Sequence, residues 1–200
     1  RSTLFPYTTL FRSVAPPCNT HSRARCQYRQ HGGPRPLRDY NFPHGFPWLS
    51  EENKQKVQLA DELIQKSLQG CQIVHERGGH FFLEHPEQLG LTAGQIPASI
   101  WDLPEVAELL CQKGVRSFAI FQCEFSAPSS KPTRFLTSLD PLDVGYAGLH
   151  KLDTDGRYLG PLPKQCPHGA NAHKPLVGKD EQGLWMTAPS ATYPPTFVVG

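Results

Sequence analysis

The sequence predicts an α/β protein with long irregular connections, and three observations carry that reading. A helical pattern of apolar residues starts after Ser50, and two short apolar runs, HFFLE at 80–84 and SFAIFQ at 117–122, have the character of buried strands. A helix followed by a buried strand is the rhythm of an α/β sheet. The third observation is composition: 20 Pro and 17 Gly with only 38% hydrophobic residues imply a modest core and much loop. At 200 residues the chain holds one domain, or one and a half.

Residues 1–13, RSTLFPYTTLFRS, match the translation of a common sequencing-library adapter and are set aside as an assembly scar. On that reading the sequence proper starts at Val14 in mid-domain, and whatever preceded it is lost. Residues 14–49 form an extended loop rich in Pro, Gly, Arg and His. Ser50 is the expected N-cap of the first helix, with Glu51 and Glu52 suited to the dipole of its first turn. Val57, Ala60, Leu63, Ile64 and Leu68 then face inward. Gly70 ends or interrupts this helix, or Ile73 and Val74 extend it to a stop at Gly78-Gly79. The strand at 80–84 is closed by Pro86, and 90–97 is a loop. Asp102 is expected to cap a second helix with Pro104 in its first turn, Val106, Leu109 and Leu110 facing inward, and Gly114 as its end. Strands at 117–122 and 134–137 follow. Residues 142–159 fit a short helix or a hairpin equally well, and the tail from Gly160 is loop. The expected organisation is a catalytic piece over 14–140 and an irregular extension over 141–200.

The charge balance, 20 Lys and Arg against 18 Asp and Glu, names no partner, but its distribution is uneven. Between Cys18 and Tyr40 lie Arg23, Arg25, Arg29, Arg35 and Arg38 against Asp39 alone. Such a run is either a solvated loop or a segment that contacts phosphates. The six cysteines lack the spacing of a secreted disulfide scaffold, so an intracellular location, nuclear or cytoplasmic, is expected. No apolar run approaches the roughly 18 residues of a membrane span, so no membrane partner is expected.

Chemistry concentrates in four places. Pro16-Pro17 holds the chain extended and presents Cys18, followed by Asn19, Thr20, His21 and Ser22; Arg23 and Arg25 make the setting electropositive, which favours thiolate. Glu84 ends the apolar run at 80–84 beside His85-Pro86, where a carboxyl points into the cleft above a sheet edge. Gln122-Cys123-Glu124-Phe125-Ser126 follows the strand at 117–122, with Lys131-Pro132-Thr133 after it. Cys166, His168 and His173 offer three metal ligands, but zinc prefers four and no fourth is evident in the neighbourhood, so the segment is read first as a loop without metal, with a small zinc-binding domain around these three as the competing reading.

The first three places resemble the cytosine-5 DNA methyltransferases, in their divergent phage and mobile-element form. Pro-Pro-Cys with Ser22 at the fourth place after Cys18 is similar to the family's Pro-Cys-Gln-x-Phe-Ser loop, with Asn19 for Gln and His21 for Phe. Glu84-His85-Pro86 is similar to its Glu-Asn-Val or Glu-Asn-Pro, with His85 for Asn. The run from Gln122 to Thr133 is similar to Gln-Cys-x-Phe-Gly-x-Pro-x-x-Lys-Pro-Thr, with Ser126 for Gly. The likeness covers about residues 15–178 and is strongest at 16–25, 81–86 and 118–137. It implies a partial Rossmann-like sheet dependent on S-adenosylmethionine and acting on DNA. Cys18 would attack carbon 6 of a flipped cytosine, and Glu84 would hold the ring nitrogen through a carboxyl of raised pKa. Ser22, Arg23, Arg25, Gln122 and Lys131 would lie against the nucleic acid. The glycine-rich turn for the cofactor does not occur before Cys18. The chain is therefore expected to be inactive alone and marginally stable, with apolar strand faces lacking neighbours. A competing expectation is a non-catalytic module of a mobile-element polyprotein that holds nucleic acid or a partner.

Overall fold

Short continuous apolar runs form strands buried along most of their length, and the long amphipathic stretch yields one helix that packs across them. The computed structural model describes residues 11–28, 32–139, 145–169, 172–174, 176 and 178–187. Strands β1 (Phe11–Val14), β2 (His80–Pro86), β3 (Arg116–Phe121), β4 (Pro132–Thr137) and β5 (Tyr146–Ala147) form one mixed sheet in the order β1-β2-β4-β3-β5. Helices α1 (Glu51–Glu76) and α2 (Pro104–Leu110) complete a mixed α/β architecture, and β6 (Lys151–Leu152) pairs with β7 (Tyr158–Gly160) in a separate hairpin.

Ser50 caps α1 as expected, accepting a hydrogen bond from the Asn53 amide at 3.4 Å. Val57, Ala60, Ile64, Leu68, Cys71 and Val74 form its buried stripe. Leu63, expected inside, is 41% exposed, one step off that stripe. Gly70 does not break the helix, because packing of the stripe outweighs a glycine penalty of about 1 kcal/mol. The stripe meets Phe81 and Leu83 of β2, Leu136 of β4, and Ile100, Trp101, Val106 and Leu109 around α2 in the main core. On the other face of the sheet Phe82, Phe118 and Phe135 pack ring against ring.

Phe11–Ser13, adapter-like in sequence, form β1 with Val14; an extended segment there pairs backbone groups that β2 would otherwise leave open. Several expectations are corrected. The sheet is mixed, since β4 runs antiparallel to both β2 and β3. Asp102 ends a 3-10 turn and caps nothing: α2 begins after Leu103, and the Asp102 carboxylate accepts from Gln88 and bonds His150. The strand faces do not lack neighbours. In β2, β3 and β4 the large apolar side chains are buried or half-buried, and exposed ones sit on α1 (Leu59, Leu63, Ile73), in the preceding loop (Tyr40, Phe42, Trp48), at Phe11 of β1 and Leu159 of β7, and in other loops (Leu91, Leu149, Leu184, Trp185). Of residues 142–159 the described part is β5 and the β6–β7 hairpin, while 140–144 lie outside the described residues.

A buried ion pair crosses this sheet. Arg134 on β4 and Glu87 after β2 are both fully buried, 2.8 Å apart at closest, and Arg134 also donates to Ser117 Oγ and the Gly148 carbonyl. Burial raises the Glu87 carboxyl above its ordinary range, with Arg134 opposing. Breaking such a pair strands a buried charge, so Arg134→Leu should cost about 3–5 kcal/mol in denaturant unfolding. The double change with Glu87→Leu should recover part of the loss.

After β3 the chain turns through Gln122–Phe125, and Ser126 closes the turn at φ +68°. The left-handed conformation is one that glycine adopts more readily than serine. Ser126→Gly should raise unfolding stability by about 1 kcal/mol, read from the denaturant midpoint.

Candidate active site at the strand ends

Two parallel strands release their chains at the same edge of a sheet. Val14 of β1 lies opposite Leu83 of β2, so the Ala15-Pro16-Pro17-Cys18 loop and Glu84 emerge together. β4 runs the other way and enters at that edge, which puts Lys131 immediately before it, and Phe121 pairs with Pro132, so Gln122 leaves β3 there too. The fold thus gathers Cys18, Glu84, Gln122 and Lys131, separated by more than a hundred positions in sequence.

Electrostatics show that three of these groups feel one another. The Cys18 thiol is pushed above its ordinary value by burial; Lys131 pulls it down and Glu84 pushes it up. The thiolate expected from the arginine run is therefore not favoured: Lys131 is the cation that acts on Cys18, and desolvation outweighs it. Glu84 keeps only 8% of its exposure, the partly buried setting expected of it. Lys131 holds φ +24°, a sparsely populated backbone region of the kind stored at functional sites.

Behind Cys18 lies a wall of neutral rings. His21 and His85 pack edge to face with centroids 5.7 Å apart, and His85 meets Trp101 at 6.3 Å. Burial is the main cause that lowers His21 to about 2, with Arg38 and His85 adding to it. His85 falls to about 3, again chiefly by burial, with Lys131 next. These two histidines replace Phe and Asn of the resembled motifs, and they are neighbours: the two departures pack against each other.

The arginine segment divides. Ser22 accepts from the Ala24 amide at 3.2 Å and caps a 3-10 turn over Arg23–Gln27. Arg25 donates to the Asn19 carbonyl at 2.5 Å and the Arg35 carbonyl at 2.9 Å, so it clips the Cys18 loop to the following chain. Arg38 is 2% exposed and donates to Asp61 of α1, to His21 and to the Pro43 and Val57 carbonyls. Arg25 and Arg38 both anchor the loop through hydrogen bonds within the chain. Arg23 and Arg35 retain exposure, and Arg29 lies outside the described residues. Gln122 is buried, at 2% exposure, and its amide donates to Thr133 Oγ1 at 3.2 Å, which braces the edge from inside.

The Arg38–Asp61 anchor was missed on the sequence, although a signal was present. Asp61 follows Val57 by one helical turn and precedes Ile64 by three residues, so an acid borders the apolar stripe and invites a buried cation. Glu87 and Arg134, flanking and interrupting strand patterns, carried the same hint. Comparison with family models, with curated proteins and with solved structures returns no match.

Both buried imidazoles stay neutral while their unfolded counterparts protonate near 6.5. The unfolded state binds more protons below that pH, so stability should be lost as pH falls from about 6.5 toward about 3, by about 1.4 kcal/mol per unit per ring. Denaturant midpoints between about pH 7 and pH 5 check this. His21→Phe and His85→Asn should each flatten the dependence, and an unchanged slope would contradict neutral burial.

Proposed function

We propose that the strand-end site is a thiol–carboxyl pair for covalent attack on carbon 6 of a cytosine flipped out of DNA, the chemistry of the cytosine-5 DNA methyltransferases the sequence resembles. One observation carries the proposal: Cys18, on the loop after β1, and Glu84, near the end of the neighbouring parallel strand β2, reach the same edge and interact there with Lys131. The strand directions support a partial Rossmann-like sheet, since β1, β2 and β3 run the same way with β4 reversed among them. In such sheets ligands lie outside the carboxyl ends of the parallel strands, which is where these residues are.

In this reading the Cys18 sulfur forms a bond to carbon 6 as the ring nitrogen gains a proton from Glu84. The proton that leaves the thiol replaces the one Glu84 delivers, so the protonated carboxyl is regenerated and the proton count closes. Glu84 is matched to this task because its charge raises the Cys18 thiol and its protonation relieves that effect. Lys131 and Arg23 are the cations best placed for phosphate. S-adenosylmethionine does not fit the described residues, because among them no glycine-rich turn joins the end of a strand to the start of a helix. Methyl donation would need groups these residues do not provide, and thiol addition alone is the step assigned to them.

The raised thiol favours one rival, a nucleic-acid-binding module without catalysis. Duplexes carrying pyrimidin-2-one in place of cytosine separate the two, since that base accepts a thiol at carbon 6 without a methyl donor. The expected result is an adduct that survives denaturation, disappears in Cys18→Ala and forms about 100-fold more slowly in Glu84→Gln. A folded chain that retains the duplex without forming any adduct is the module, and the covalent reading then fails.

A further inference from the structure

The tail holds a second cluster, remote in sequence from the first. Cys123, Cys166, His168 and His173 bring two sulfurs and two imidazole nitrogens within 4.8 Å of one another. Cys123 belongs to the turn that closes β3, and the other three come from the tail. Cys166 Sγ lies 2.8 Å from His173 Nε2, and the His168 and His173 rings stand perpendicular at 5.6 Å. The thiols are buried, at 6% and 7% exposure, while the histidines close the solvent side. The sequence offered Cys166, His168 and His173 and lacked a fourth ligand. The fold supplies Cys123.

Zinc at about 2.3 Å from sulfur and about 2.0–2.1 Å from nitrogen spaces its four ligand atoms roughly 3.3–3.8 Å apart, within reach of this cluster after small side-chain adjustment. Two thiolates and two neutral imidazoles cancel the charge of a divalent ion, which suits a half-buried place. Sulfur and imidazole donors without a carboxylate select zinc over calcium or magnesium. There is also a structural need. The tail after β7 has no regular element among the described residues, and it meets the sheet through a small cluster of Leu162 and Cys166 with Ala119, Phe121 and Cys123.

We propose that Cys123, Cys166, His168 and His173 form a closed structural zinc site that fastens the tail to the turn after β3. It stands independently of any nucleophilic role for Cys18. The full chain, purified without chelator and under reducing conditions, should carry about one zinc per molecule by elemental mass spectrometry. After zinc removal, cobalt(II) added to the same chain should give thiolate-to-metal charge-transfer absorption with the visible bands of a tetrahedral site. Cys166→Ser should abolish that spectrum and Cys111→Ser, at an exposed cysteine outside the cluster, should leave it unchanged. Cobalt binding to the unmutated chain keeps the test valid if a variant fails to fold. A folded chain that takes up neither metal overturns the site. So does retention of zinc in Cys123→Ser, or recovery of a Cys123–Cys166 disulfide from reduced, metal-supplemented protein.

Discussion

The parallel pairing of β1 with β2 is the constraint on which the rest depends. Parallel strands cannot be joined by a tight turn, so the chain between them must cross over, and α1 fills that crossover while its apolar stripe covers the same two strands. The register then fixes where each loop departs. With Val14 beside Leu83, a thiol four residues past β1 and a carboxyl two residues before the end of β2 share an edge. A shift of one residue would turn Phe81 and Leu83 out of the core and send Glu84 into it.

Charge buried in and around the sheet does the positioning. Arg38 ties the loop after Cys18 to α1 through Asp61, and Arg134 ties β4 to the chain beyond β2 through Glu87. Buried pairs of this kind contribute less to net stability than to uniqueness, because their desolvation offsets much of their attraction. Here each pair fixes a segment that has little apolar content of its own. Residues 32–49 and the turn after Pro86 are held by guanidinium groups where a larger protein would use more core.

The departures from the resembled motifs look different once they have neighbours. His21 and His85 each weaken a one-dimensional match, yet they meet edge to face behind Cys18, both neutral and both excluded from water. A pair of substitutions in contact is one change in packing. Ser126, by contrast, stands alone in a left-handed conformation that glycine would adopt without strain.

Local pattern determined β2, β3, β4 and the start and cap of α1, because short apolar runs, helical period and Ser50 act within a few residues. It also marked Cys18 and Glu84 by their prolines and strand ends. Only the tertiary structure decided what depends on distant partners: that β4 is antiparallel, that Phe11–Ser13 join the sheet, and which groups Arg25, Arg38 and Gln122 hydrogen-bond within the chain. It likewise decided that Cys123 completes a four-ligand cluster and that Cys18 is a desolvated thiol. Burial and charge environment are properties of the assembled chain, so a residue's type announces what it can do while its neighbours determine its protonation and its exposure.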